Sequence, residues 1–234
     1  MLKKKIFFIQ FFIFSLFISA TYFKNNFKSA FKSYGEDNLY KVYALKIPED
    51  VNFCKEEVPL ELFDIKERLD RELLVNTYWQ SNMLLLIKRA YRYFPLIEKI
   101  LKDEEVPDDF KYLAVIESGL ENVRSPKGAK GIWQLMSNTA REYGLEVNRN
   151  VDERYNLELS TRVACKYFKK AKKKFGSWTL AAAAYNRGVS GISRNLTRQK
   201  VVNYYDLLLG RETSRYIFRI LAVKEIMKNA DKYG

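Results

Sequence analysis

The chain has 234 residues, with 41 Lys and Arg against 28 Asp and Glu, no histidine and a formal net charge of +13. Without histidine there is no Ser-His-Asp triad, no Cys-His pair and no His-ligated metal, and Cys54 and Cys165 are too few for a thiolate cage. Acid–base chemistry falls mainly to carboxylates, tyrosine or lysine, no metal or cofactor is expected, and the length suits one globular core.

The N-terminus, MLKKKIFFIQFFIFSLFISATYFK, places Lys3, Lys4 and Lys5 before an apolar run from Ile6 to Ala20. This is the layout of a secretory signal peptide, or, if the run extends to Phe23 and is retained, of a short membrane anchor over residues 1–23. Both readings place the chain outside the cytoplasm, in the periplasm or cell envelope. For an exported basic protein the nearest polyanions are the membrane surface and the cell wall. Nucleic acid as a partner rests on charge alone and is not expected.

Residues 24–58 show no sustained period and contain Gly35 and Pro48; they read as a linker or loosely docked arm. From about residue 59 the pattern is helical to the end at 234. Leu62, Ile65, Leu69, Leu73 and Asn76 share one face, then Leu84, Ile87, Ala90 or Tyr91, and Phe94 share another, with Pro95 expected to bend or interrupt that second helix. Pro107, with Asp108 and Asp109 in the first turn, opens a third helix that Gly119 ends. Asn156 to Phe175 forms a long helix whose lysines (Lys169, Lys170, Lys172, Lys173, Lys174) read as a solvated face. A short alanine-rich helix closes near Gly188, and a last helix runs from Glu212 to Met227. No strand is expected, Cys165 reads as a core position, and a Cys54–Cys165 disulfide is not favoured.

One residue stands out in KYLAVIESGL, Lys111 to Leu120. Glu117 lies among apolar residues near the C-terminal end of its helix. The helix dipole and the apolar neighbours both disfavour its charge, so its pKa should rise. A carboxyl that keeps its proton near neutral pH suits a general acid for glycosidic cleavage. The alternative is a core glutamate paired to an arginine or capped by hydroxyls. The loop SPKGAKGIWQLM, Ser125 to Met136, follows. Its glycines permit tight turns, and Trp133 and Gln134 offer a flat face and a paired donor and acceptor suited to sugars, unless Trp133 simply plugs the core.

ESGLENVRSPKGAKGIWQLM, then AAYNRG (Ala183 to Gly188), then ETSRYIFRILAV (Glu212 to Val223) closely resemble, in order, the signature blocks of lytic transglycosylases with a goose-lysozyme-like catalytic domain, glycoside hydrolase family 23. The lead-in DRELLVNTYWQSN (Asp70 to Asn82) resembles the D-type branch of membrane-bound murein transglycosylases. Ser137 and Arg187 stand where proline and alanine are common in the family. D-type members often carry LysM wall-binding repeats, and none is expected in the short stretch after the third block.

The resemblance implies a mainly α, lysozyme-like fold with little or no β and a groove for peptidoglycan glycan strands. It implies Glu117 as catalytic acid and base and Tyr216 as the hydroxyl that holds its carboxyl. Ser118, Ser125, Gln134, Met136, Tyr185, Asn186 and Glu212 would line the groove, with Ser118 the least defined. The expected enzyme is a monomeric lyase that cuts between N-acetylmuramic acid and N-acetylglucosamine and leaves 1,6-anhydromuramyl ends. The alternatives are a hydrolysing muramidase, for which Asp152 or Glu142 would have to activate water, and a non-catalytic peptidoglycan-binding protein.

Overall fold

The computed structural model describes residues 44–233. The expected signal or anchor segment, 1–23, and the first part of the expected arm, 24–43, lie outside the described residues. Among the described residues no helix is long and apolar enough to cross a membrane.

The described chain is mainly α. A two-residue-per-strand hairpin, β1 (Asn52–Phe53) and β2 (Glu56–Glu57), precedes the helices α1 (Phe63–Tyr78), α2 (Gln80–Asp103), α3 (Lys111–Ser118), α4 (Ser137–Glu142), α5 (Leu157–Phe175), α6 (Trp178–Arg187), α7 (Val189–Gln199), α8 (Arg211–Lys228) and α9 (Ala230–Tyr233). The strands pair antiparallel, Asn52 opposite Glu57. α8 packs against α1, α3 and α6, while α5 packs against α2 and α6. The aromatic centre of the core is Phe168, 4.2 Å from Phe110, 5.0 Å from Tyr185 and 5.9 Å from Trp133 between ring centroids.

Local chemistry sets most helix ends. The Asn156 and Ser177 side chains accept hydrogen bonds from Leu159 N and Leu180 N at the starts of α5 and α6. Gly119 and Gly176, at φ 63° and 73°, end α3 and α5 in the left-handed conformation that glycine adopts without a Cβ clash. Lys169, Lys170 and Lys172 pair with Glu104, Glu142 and Glu56 on the surface, and both cysteines are free.

Three expectations need correction. Pro95 does not break α2 into two helices; the helix runs through it. Proline removes the hydrogen bond to the carbonyl of residue i−4. Here that residue is Tyr91, which is exposed like Pro95 itself, so water can take the bond's place. The buried face of α2 is also displaced from the expected one. Met83, Leu86, Ala90, Ile97, Ile100 and Leu101 are buried, whereas Leu84 and Tyr91 are exposed. Leu84, Leu85, Tyr91 and Leu96 make the outer side apolar as well, so the period alone does not choose the inward side.

The third correction concerns the arm. Its described part is not loose. Phe53 and Val58 are buried, and Glu56 caps α6: its carboxylate accepts from Trp178 N (2.6 Å), Thr179 N (2.8 Å), Ser177 Oγ (2.7 Å) and Thr179 Oγ1 (2.7 Å). Nearby, Asp109 accepts from Cys54 N and Lys224 Nζ. The hairpin, with left-handed Cys54 and Lys55 at its turn, carried no alternating pattern long enough to read as a strand. Helix α7 was also unforeseen, because Gly188 at φ 81° reads as an end but here only turns one helix into the next.

The cap on α6 gives a signed prediction. Burial pulls the Glu56 pKa up, but the Thr179 and Trp178 amides and the Ser177 and Thr179 hydroxyls outweigh it, and the folded value lies below the ordinary one. Its contribution is therefore present above the unfolded pKa and lost as pH falls through the lower folded value. Glu56→Gln should lower stability by about 1–2 kcal/mol at pH 7, as for loss of an N-cap. In denaturant titrations the difference should shrink at acid pH; a pH-independent difference would contradict the assignment.

Candidate active site

The site begins at the end of α3. Lys111 to Val115 are buried, which leaves Ile116, Glu117 and Ser118 partly open at the last turn. Gly119 and then Leu120, at φ 63° and 58°, turn the chain sharply out of the helix. Ser118 Oγ donates to Ile132 O at 2.8 Å and so ties the helix end to the following loop.

Across from this end lies α8. The Tyr216 hydroxyl donates a hydrogen bond to Glu117 Oε1. Arg219, one turn further on, donates to Ile116 O at 3.3 Å. Burial pushes the Glu117 pKa up from 4.5, the Tyr216 hydroxyl and Arg219 pull it back, Glu212 pushes it up again, and the balance lies at about 7. Burial is thus the leading cause, with the nearby charges as corrections. Tyr216 and Tyr185 are both held far from ionisation by burial and by the neighbouring Glu117 charge. They are neutral donors, not bases.

Tyr185 comes from α6. Its hydroxyl donates to Trp133 O at 2.6 Å, and its ring packs on Phe168 and Tyr167. Beside it, Asn186 joins Glu212 and Thr213: Asn186 Nδ2 donates to Glu212 Oε1 at 2.9 Å, and Thr213 Oγ1 donates to Asn186 Oδ1 at 2.7 Å. This small network links the end of α6 to the first turn of α8. Glu212 is exposed.

The loop from 121 to 136 is rigid for its length. Arg154, 3% exposed, donates to Gly128 O (3.0 Å) and Leu135 O (3.1 Å), and its other guanidinium atoms grip Asp152. Lys130 and Leu135 exchange backbone hydrogen bonds across the loop. Gly131, at φ 77°, passes so close to the Arg154 carbonyl that a Cβ would sit 2.0 Å from its oxygen. Trp133 is fully buried and donates from Nε1 to Thr161 Oγ1 at 2.7 Å. It plugs the core and is not an exposed sugar platform.

The residues of this loop therefore divide. Ser125 Oγ accepts from Ala129 N within the turn. Gln134 is left-handed at φ 48°, and its Nε2 folds back on Gly131 O (2.7 Å) and Val123 O (3.1 Å). Met136 is exposed at the start of α4. Glu117, Tyr216, Tyr185 and Glu212 form one electrostatically coupled group, with Asn186 bonded to Glu212. Ser118, Ser125 and Gln134 spend their hydrogen bonds on the shape of the loop.

Sequence reasoning missed Arg219, Arg154, Thr213 and the pair Glu72–Arg215. Glu72 is 2% exposed on α1 and takes Arg215 Nε at 2.6 Å and NH2 at 3.1 Å, which holds the residue preceding Tyr216. No local signal marked these residues, because each binds a partner distant in sequence. The two carboxylates considered for water activation are otherwise engaged. Arg154, against the pull of burial, and Lys130 hold the Asp152 carboxyl well below the usual range, and Glu142 pairs with Lys170 on the surface.

The geometry predicts how Glu117 titrates. A carboxyl with a raised folded pKa costs nothing below the unfolded value of about 4.5; the cost grows as pH rises to about 7 and is constant above. Glu117→Gln should match the parent stability at pH 4 and exceed it at pH 8 by on the order of 1–3 kcal/mol. Carboxyl-carbon NMR should place Glu117 near 7 and move it higher in Tyr216→Phe, since that hydroxyl lowers the pKa. A parent value near 4.5 would remove the basis for its role as an acid.

The chain is similar to known proteins. The transglycosylase SLT domain family model matches residues 94–207, which include Glu117, the loop and the α6 motif. The chain is 35% identical over 176 residues, 73% of its length, to membrane-bound lytic murein transglycosylase D of Escherichia coli strain K12, and equally to that of Escherichia coli O6:H1. It spans 38% of the length of these curated relatives. The matched stretch and the ordered motifs carry the conclusion: residues 94–207 of this chain belong to the transglycosylase SLT domain family.

Proposed function

We propose that this protein is a peptidoglycan lytic transglycosylase of the cell envelope, with Glu117 as the acid and base. The observation that carries the reading is a single partly open carboxyl with a pKa of about 7, bonded to the Tyr216 hydroxyl. Protonated, Glu117 donates to the glycosidic oxygen between N-acetylmuramic acid and N-acetylglucosamine as the C1–O bond breaks. The carboxylate so formed takes the proton of the muramyl C6 hydroxyl, whose oxygen closes on C1. The product is a 1,6-anhydromuramyl end and Glu117 returns to its starting state. Attack by a hydroxyl of the same sugar has a large entropic advantage over attack by water, and the substrate's N-acetyl group can stabilise the oxocarbenium-like state without a second protein carboxylate.

Tyr216 orients the acid. Tyr185, Asn186, Glu212 and Met136 would contact the glycan, and Ser118, Ser125 and Gln134 would shape the loop it lies against. The mature enzyme would work outside the cytoplasm as a monomer, either free after cleavage near Ala20 or held by residues 1–23. A hydrolysing muramidase is the second reading, and one observation speaks for it: Glu212 is a carboxylate close enough to raise the Glu117 pKa. A non-catalytic wall-binding role has no comparable support, because it leaves the raised pKa without a use.

Digests of purified peptidoglycan decide between the readings. The transglycosylase should release muropeptides one water lighter than muramidase products, and reducing muramyl ends alone would move the assignment to a hydrolase. Glu117→Gln should lower turnover by on the order of 10²–10⁴ and leave glycan binding intact. The rate should fall as pH rises through about 7, because the acid is then unprotonated. Near-normal cleavage by a folded Glu117→Gln protein would exclude Glu117.

A further inference from the structure

Helix α2 is apolar on two opposite sides. Its inner side belongs to the core, and there Arg89 also donates to Gly119 O at the end of the Glu117 helix. Its outer side carries Leu84, Leu85, Tyr91, Pro95 and Leu96, all exposed, with Tyr91 at 83%. Steps of three and four residues put them on one stripe, and Lys88, Arg92 and Lys99 interleave with them on the same stripe, exposed as well. From Ser81 to Lys99 the exposed stripe has no acid. Glu98, which lies off it, is engaged by Lys111, and Asp103 comes only at the end of the helix. One flank opens into a cleft of about 310 Å³ lined by Ile87, Tyr91, Phe94, Pro95, Tyr112 and Met227.

Large apolar side chains grouped on an exposed helix face mark a surface that meets something other than water. We propose that the outer face of α2 docks on an anionic lipid surface. Leucine and tyrosine interleaved with lysine and arginine along an exposed helix face is the chemistry of an interfacial helix: the apolar groups enter the acyl boundary while the cations stay among the phosphates. A second copy fits poorly, because a two-fold contact would set Lys88, Arg92 and Lys99 against their own likenesses. A hydrated glycan gains nothing from the leucines. The docked helix is the one that grips the end of α3, so the face orients the Glu117 end of the domain relative to the lipid.

The test uses the full chain, so that residues 1–43 are present in every arm. Tyr91→Trp adds an indole at the centre of the stripe, and brominated phospholipid quenches it only on contact. The added fluorescence should be strongly quenched by vesicles containing brominated phosphatidylglycerol and little by brominated phosphatidylcholine, even where the N-terminal run holds the chain to both. Adding Lys88→Glu and Arg92→Glu, both exposed, should weaken the anionic-vesicle effect at least tenfold at unchanged circular dichroism. Equal quenching on both lipids, or quenching that survives the charge reversals, would overturn the proposal. So would an unquenched indole, including the case in which concentration-dependent self-association shows the face to be covered by another copy.

Discussion

The contact between Glu117 on α3 and the Tyr216 hydroxyl on α8 is the constraint around which the described domain is arranged. A carboxyl in the last turn of a short, mostly buried helix is unfavourable as an anion, and burial raises its pKa to about 7 against the opposing pull of Tyr216 and Arg219. That balance exists only if α8 stays in place. Its position is fixed from three sides: by the buried Glu72, which takes two bonds from Arg215, by Lys224, which reaches Asp109, and by Arg219, which reaches the last turn of α3. The hydrogen bonds that hold the scaffold are thus the ones that set the protonation of the site.

The loop after α3 depends on a second arrangement of the same kind. Arg154 is nearly inaccessible and uses Asp152 to balance its charge while its remaining donors bind loop carbonyls. Backbone carbonyls left unpaired there would be costly. Gly131 is required because the chain passes against the Arg154 carbonyl with no room for a side chain. Gln134 is held left-handed, a conformation that costs a non-glycine residue energy and persists where the surroundings over-determine it. Trp133 anchors the loop from beneath through Thr161, while Met136 remains exposed beside it.

The hairpin and α2 show the surface serving the site at a distance. Glu56 brings a carboxylate to the start of α6, the helix that ends in Tyr185 and Asn186, where a negative charge suits the exposed amides. α2 holds the end of α3 from one side and presents its exposed, acid-free stripe on the other.

The sequence alone determined what depends on neighbours within about one turn. The helix bearing Glu117 and its stop at Gly119, the alanine-rich helix closing at Gly188, the solvated lysines of α5 and the three ordered blocks were all legible, because periodicity and capping are local. The rise in the Glu117 pKa was legible in direction, from its apolar neighbours. Tertiary structure decided the rest. It chose the inward side of α2, which period could not do for a helix with leucines on two sides, and it turned Trp133 inward to Thr161. It docked residues 52–58, whose two short strands have no pattern of their own. It brought Arg219 and Tyr216 to α3 and Arg154 to the loop, since which buried charge meets which partner is settled only when distant faces close on one another.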